Sequence, residues 1–453
     1  MLGFVYRGFA AIMAPEFGES LTASGCVSCG KCIDVCPVGA LVERNLHYKM
    51  NPYTKEAIRQ NCGLCGVGCD ILAEVQGGEV VRVTTPLEKP GFNGKNLCFK
   101  GRFGWQSNQE KLDTPLLLRD GQYHAISWNE ALEVIQTRTK LAKSSSVEIS
   151  PHITLEEMLL ASKVSDKLEC ALSANRKYLS FSDQFLDIHP KEDAFARLDD
   201  FTEYVVVGAL NRTLLSLIRL QQLKGKKLIL VAYPETEPFK RFADESHNDL
   251  RNLDAGPNRL FIYNQNRVSE IMAAKIWNLA QPQNILHSTD YMNHTGFVAM
   301  RPMPVKVSEV DLAICFGSIP SAKAGFKVAI SAYQTEGRSC DLILPRANFL
   351  GIEAHVLGDN GKLSRLANPL KSTIFNELTR LLYRLDWISA ATADMPYWNH
   401  LAQELISRLQ STEIKLYEKQ SLEGLRDNVI PSDSPLEDIM AGLFELRKRA
   451  VKF

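Results

Sequence analysis

Eight of the eleven cysteines in this 453-residue sequence lie between Cys26 and Cys98, in two groups whose spacings suit inorganic iron and sulfide. The first is Cys26, Cys29, Cys32 and Cys36 followed by Pro37, the C-x2-C-x2-C-x3-C-P run of bacterial 4Fe–4S loops. The second is Cys62, Cys65 and Cys69 with the distant Cys98. A cubane presents iron at its corners, so three thiolates come from a short loop curling around one face and a fourth closes the far side. Gly30, Gly63, Gly66 and Gly68 are expected to let the loop backbone pass close to a bulky cluster and aim amide N–H groups at its sulfides.

Zinc is the competing chemistry. It favours separated C-x2-C pairs at tetrahedral sites. Three cysteines at successive two-residue gaps before Cys-Pro fit a cubane better, while for Cys62 to Cys98 zinc is a closer rival on spacing alone. The other cysteines carry no assigned role: Cys170 falls in a helical pattern and Cys315 in an apolar strand, where a thiol is a small hydrophobe. Cys340 is expected to be partly exposed, with no second ligand adjacent. His124, His189, His287 and His355 are isolated and read as structural hydrogen-bonding groups. No G-x-G-x-x-G follows a strand, so nothing marks a nicotinamide or flavin site.

The elements that would hold these loops can be read along the chain. A short helix is expected over Val38 to Leu46. Ile71 to Gln76 and Glu79 to Thr84 flank Gly77-Gly78 as a hairpin that returns the chain toward Cys98. Ser127 with Glu130 and Thr154 with Glu157 are capping boxes ahead of helices expected over Trp128 to Lys143 and Leu155 to Leu172. Short apolar runs then alternate with helical patterns: Tyr204 to Val207, Lys227 to Ala232, Asp311 to Phe316 and Asp341 to Leu344. That alternation predicts parallel α/β units. Gly208 and Gly317 end two of the strands, where either a ligand phosphate or a tight turn would use them. From Thr373 onward the pattern is mostly helical, with Leu401 to Leu409 and Leu436 to Ala450 as candidate helices.

Composition sets outer limits. Hydrophobic residues are 45% and charged residues 23%, as in globular proteins. Lys plus Arg equal Asp plus Glu at 52 each, so no overall field draws the chain to nucleic acid or an anionic membrane. No run reaches the roughly 18 apolar residues of a membrane span. Met1 to Ala14 is apolar but interrupted by Arg7, with no basic region ahead, so no secretory signal is expected. Clustered cysteines in an unexported chain suggest metal ligands rather than disulfides.

The stretch Cys62-Gly-Leu-Cys65-Gly-Val-Gly-Cys69, with Asn96-Leu-Cys98-Phe-Lys100-Gly-Arg-Phe-Gly104, resembles the N-terminal cluster domain of the molybdopterin oxidoreductase superfamily. Asp113-Thr-Pro-Leu-Leu, Ile126-Ser-Trp-Asn-Glu-Ala-Leu and Asp341-Leu-Ile-Leu-Pro-Arg continue the likeness. With the ferredoxin-type loop ahead, and Asn293-His-Thr-Gly296, the chain looks like the large iron–sulfur subunit of NADH:quinone oxidoreductase or the similarly built formate dehydrogenases. The resemblance implies an α/β fold in four parts. Residues 1–50 would be a partial 4Fe–4S ferredoxin-type module and 51–112 a molybdopterin-oxidoreductase-type 4Fe–4S domain. Residues 113–390 would be a doubly wound α/β body and 391–453 a helical segment.

Three departures shape the functional expectation. Asn175 to Gln184, where catalytic members carry a cysteine or selenocysteine on molybdenum, contains neither. The chain ends at Phe453, short of the domain that closes over a second pterin, so a complete bis-pterin site is not expected. In two-cluster ferredoxins the cysteine before proline ligates the other cluster. By that logic Cys26, Cys29 and Cys32 need a fourth thiolate from an upstream motif, and Leu2 to Phe9 resembles the linker that follows such a motif. The chain is then expected to begin mid-module. Either a separate polypeptide supplies the missing half, or the start lies upstream, or one cluster makes do with Cys36.

The implied role is an electron-carrying subunit with one or two 4Fe–4S clusters, held by all eight clustered cysteines. Lys100 matches a family lysine between cluster and pterin; without a pterin its expected role is to compensate cluster charge. Flavin-bearing or ferredoxin-like subunits are the expected partners, in the cytoplasm or on a membrane-bound complex. A catalytic molybdenum or tungsten oxidoreductase and a zinc-stabilised non-redox assembly protein are the alternatives.

Overall fold

The computed structural model describes residues 2–15, 18, 20–21, 26, 28–43, 55–106, 111–179, 194–300, 302–305, 309–333, 339–359, 361 and 363–389. The candidate helices Leu401 to Leu409 and Leu436 to Ala450, and His189, lie outside these residues.

Glu56–Asn61, Asp70–Gln76 and Glu79–Thr84 form a three-stranded antiparallel sheet. Gly77 and Gly78, at φ 63° and 82°, make the two-residue hairpin turn that needs positive φ at both positions. Ahead of it the helix expected over Val38 to Leu46 is not present among the described residues. Lys31–Val35 is helical instead, and the chain turns over residues 37–41. Gly39, at φ 65°, interrupts the expected span, and Pro37, which disfavours helical geometry at Cys36, ends the helix ahead of it.

The α/β body contains two larger sheets. Glu203–Val207 is the centre of an all-parallel five-stranded sheet, flanked by Lys227–Val231 and Arg259–Asn264, with Glu245–His247 and Ile285–Ser288 at the edges. Tyr204 to Val207 are wholly buried, which is why that run lacks polar alternation. The other sheet has eight strands, with Val310–Phe316 between Ser145–Ile149 and Ala324–Ser331. All its pairings are parallel except those of the Leu116–Arg119 and Gln122–Ala125 hairpin.

Both capping boxes form: Ser127 Oγ accepts from Glu130 N while the Glu130 carboxylate accepts from Ser127 N, and Thr154 with Glu157 repeats the exchange. The helices run over Trp128–Leu141 and Leu155–Lys167. The second stops short of Leu172 because Glu169 takes φ 52° and Leu172–Ala174 joins the eight-stranded sheet. Cys170 therefore lies in the connection, half-buried, not in a helix. Cys315 is buried on its strand, and Cys340, far from being partly exposed, is completely buried beside Leu112, Ala329 and Ile343. Gly208 and Gly317 have φ 66° and 83°, and a Cβ at Gly208 would stand 2.9 Å from Val268 Cγ1. Protein side chains meet these strand ends, as a tight turn requires. No helix among the described residues is long and apolar enough to cross a membrane.

Candidate metal centre

The Cys62 to Cys69 loop joins the strands Glu56–Asn61 and Asp70–Gln76, and it is tied shut at its base. Cys62 N donates to Cys69 O at 2.8 Å, and Asn61 Nδ2 donates to Gly68 O at 2.8 Å. Gly68 takes φ 61° at the turn back into the sheet. Cys98 reaches the same place through two buried asparagines. Asn93 Oδ1 accepts from Asp70 N at 2.9 Å and Asn93 Nδ2 donates to Asn96 O at 2.9 Å, so the segment before Cys98 is held to the end of the sheet. Cys98 then caps the short helix Phe99–Phe103, its sulfur accepting from Gly101 N at 3.3 Å.

Cys62, Cys65, Cys69 and Cys98 are all buried and all free thiols. A Cβ added at Gly101 would stand 3.7 Å from both Cys62 Sγ and Cys98 Sγ, so a residue without a side chain brings the two sulfurs to one surface. Burial, followed by the neighbouring Cys98, pushes the Cys62 thiol up to about 12. The Cys65 and Cys69 thiols are driven well above the ordinary value by burial first and by the other cysteines of the set second.

The α/β body packs directly on this loop. Asn211 Nδ2 donates to Cys65 Sγ at 3.3 Å, and the Cys69 thiol donates to Thr213 Oγ1 at 3.7 Å. Both partners sit at the start of the helix Arg212–Leu223, which Asn211 also caps by accepting from Thr213 N at 2.8 Å. Asp359 N donates to Gly66 O at 2.8 Å and Gly66 N to Thr289 O at 3.3 Å. The Asp359 carboxylate is buried against Gly66 and accepts from Thr289 N at 2.6 Å. Desolvation raises Asp359 to about 6, with His294 opposing the shift. These partners were not expected from the sequence; Asn211 carries a local helix-cap signal, but nothing local says that it faces a sulfur.

The first loop is built differently. Cys26, Cys29, Cys32 and Cys36 are only half-buried. Cys32 is raised by burial and feels the charges of Cys29 and Cys26, which places those three together. Cys36 is held below the ordinary thiol value by the backbone N–H of Leu41 first, then those of Val38, Ala40 and Gly39. Its sulfur is turned toward the amides after Pro37. This loop rests on the second through Arg102, which donates to Gly30 O at 3.0 Å, Cys29 O at 3.4 Å and Val83 O at 3.0 Å, and pairs with Asp34.

Lys100 is exposed on the Phe99–Phe103 helix. Its charge is felt at His152, which burial first, then Arg346, Lys177 and Lys100, lower to about 4. Among the other histidines the sequence left isolated, His355 Nδ1 meets the buried Glu156 at 2.7 Å and His124 is exposed. Among the described residues no three His, Cys, Asp or Glu side chains gather closely enough to hold a single metal ion. A four-iron cubane takes its thiolates at separate corners and needs a wider spread. Four buried free sulfurs that feel one another's charge, two of them beside Gly101, with N–H groups aimed at two of them, fit such a group.

Comparison with known proteins agrees with this chemistry. Residues 56–109 match the molybdopterin oxidoreductase Fe4S4 domain, and residues 22–42 match a 4Fe–4S binding domain. Two 4Fe–4S domains in tandem define the class of protein. In these domains the chain is similar to the superfamily that unites the large iron–sulfur subunit of NADH:quinone oxidoreductase with the molybdopterin oxidoreductases. It is 33% identical over 159 residues to a subunit of an NADH-quinone oxidoreductase of Rhizobium meliloti, covering 34% of this chain and 18% of that protein. It is 32% identical over 173 residues to NADH-quinone oxidoreductase subunit 3 of Thermus thermophilus, covering 37% and 21%. A longer match, 25% identical over 390 residues, is to the NADPH-Fe(3+) oxidoreductase subunit alpha of Geobacter sulfurreducens, covering 79% of this chain and 43% of that protein. The chain thus spans less than half the length of each of these relatives.

Proposed function

We propose that this chain is an iron–sulfur electron-transfer subunit of a multi-subunit redox complex. The observation that carries the reading is the convergence of Cys62, Cys65, Cys69 and Cys98, buried, unpaired with one another, and met by N–H groups from Gly101 and Asn211. Bound there, a 4Fe–4S cluster supplies one-electron redox chemistry. The chain's own residues do the rest. The four thiolates hold iron, the Gly101 and Asn211 N–H groups stabilise added negative charge on sulfur, and the α/β body excludes water from that side. Cys26, Cys29, Cys32 and Cys36 supply the thiolates of the ferredoxin-type site, and Lys100 compensates charge near the buried one.

In this reading residues 1–50 are the ferredoxin-type module, 51–112 the buried-cluster domain and 113–390 a scaffold and assembly surface. Three relatives named as subunits of NADH-quinone or NADPH-Fe(3+) oxidoreductases support a hetero-oligomeric setting. The partners are flavin-bearing or ferredoxin-like chains, and the compartment is the cytoplasm or the cytoplasmic face of a membrane-bound complex.

Anaerobic purification through a tag on this chain tests the proposal. A brown complex that contains flavin and bleaches with dithionite is expected. A colourless zinc protein contradicts it, as does molybdenum or tungsten at one atom per chain.

A further inference from the structure

Among the described residues Arg102 is the largest of the fully buried side chains, with 1% of its surface exposed. It lies four residues beyond Cys98, on the helix that Cys98 caps. Its guanidinium does not turn toward solvent but reaches into the first cysteine loop, where Nη2 donates to Gly30 O at 3.0 Å and Nε to Cys29 O at 3.4 Å. Nη1 donates at 3.0 Å to Val83 O on the hairpin. One planar fork thus joins three segments: the loop of Cys29, the sheet, and the helix capped by Cys98.

The surroundings are charged and balanced. Asp34, two residues past Cys32, pairs with both Arg102 and Arg82; Glu43 lies 3.3 Å from Arg82 and 3.9 Å from Arg102. Glu74 and Lys55 complete the set, giving three acids and three bases. Gly30 is shaped to this contact. It takes φ 68°, and a Cβ there would stand 2.5 Å from Arg102 Nε.

We infer that Arg102 is a positioning residue that locks the first cysteine loop at a fixed place against the buried cluster site, so that the two metal centres sense one another. This rests on the reading that both cysteine groups hold 4Fe–4S clusters. Backbone carbonyls of the first loop are bound by a side chain rooted beside a ligand of the second, so loss of that side chain frees one loop without touching any thiolate.

The test compares the anaerobically reconstituted full chain with Arg102→Met, Arg102→Lys and the charge-balanced double variant Arg102→Met/Asp34→Asn, which guards against misfolding from an unpaired buried carboxylate. Two readouts are taken. One is mutual magnetic broadening of the two reduced-cluster signals in electron paramagnetic resonance. The other is amide hydrogen exchange over residues 28–36 and 62–69 in the metal-free chain.

In both methionine variants both signals are expected at unchanged intensity with their mutual broadening lost, and exchange over residues 28–36 at least about tenfold faster with 62–69 unchanged. Lysine, a point charge without the fork, is expected to restore part of each effect. If the unaltered chain shows no iron–sulfur signal, the electron-transfer reading itself is overturned. If it shows both signals, but the methionine variants keep equal broadening and equal exchange, only the role of Arg102 is overturned.

Discussion

Cys62, Cys65, Cys69 and Cys98 sit between the hairpin sheet and the α/β body, buried, with partners arriving from Asn211, Thr213, Thr289 and Asp359. Cys26, Cys29, Cys32 and Cys36 sit on a half-exposed loop held mainly by Arg102. The two sets share ligand chemistry and differ in surroundings. Burial drives the Cys62, Cys65 and Cys69 thiols up, whereas amides hold Cys36 down. A relay needs both kinds of site: one open enough to meet a donor, and one dry and rigid enough to hold an electron with little reorganisation.

The largest expected difference comes from removing one ligand in each region. Cys65→Ala should abolish the buried-site paramagnetic signal and leave the other, and Cys29→Ala should do the reverse. Loss of the same signal in both variants would collapse the distinction between the regions.

Thiol reactivity sharpens the same contrast without metal. In the metal-free native chain, iodoacetamide near pH 7.5 should label Cys36 on the order of 1000 times faster than Cys62. Each unit of thiol pKa is tenfold in thiolate, and Cys62 stands about three units above the ordinary 9.0. Because a thiolate attacks and a thiol does not, the Cys36 rate should stop rising at a pH below 9.0, while the Cys62 rate should climb toward about 12. Peptide mapping of the labelled sites reads both.

Packing gives a smaller effect. Gly66→Ala puts a methyl into the Asp359 carboxylate, and overpacking of this kind costs about 2 kcal/mol. Denaturant unfolding should show that loss, whereas an alanine at Gly39, which has open space around it, should lose only what its positive φ costs.

The smallest expected change is in potential. Asn211→Ser keeps an oxygen to cap the helix and removes the amide that donates to Cys65 Sγ. One such bond is worth about 1 kcal/mol, or about 40 mV for one electron. A donor to sulfur favours the reduced, more negative cluster, so the buried-site midpoint should fall. The first site should not move.

What was legible in the sequence was local. The cysteine spacings, the Gly77-Gly78 hairpin and both capping boxes are short-range patterns, and each stands where the chain led one to look. The misplaced features have equally local causes. Gly39 at positive φ interrupts the helix expected over Val38 to Leu46, and Glu169 at positive φ ended another before Cys170. Cys340 is buried because Leu112, Ala329 and Ile343 pack around it, and no periodicity near Asp341 announces Leu112. The partners of the buried cysteines were not legible at all. Asn211 is 146 residues from Cys65, and Asp359 meets Gly66 from still further along the chain, so only the fold brings them together. Arg102 drew no reading from the sequence, because nothing local distinguishes a buried guanidinium from a solvated one.

The central claim is that the buried cysteines hold a redox-active 4Fe–4S cluster, and the most direct measurement is chemical and spectroscopic analysis of the anaerobically reconstituted chain carrying Cys29→Ala. With the first site disabled, about four irons and four sulfides per chain are predicted, with visible absorption that bleaches and a paramagnetic signal that grows on dithionite reduction. A colourless protein that binds zinc in that place, or an iron-loaded one silent to reduction, would contradict it.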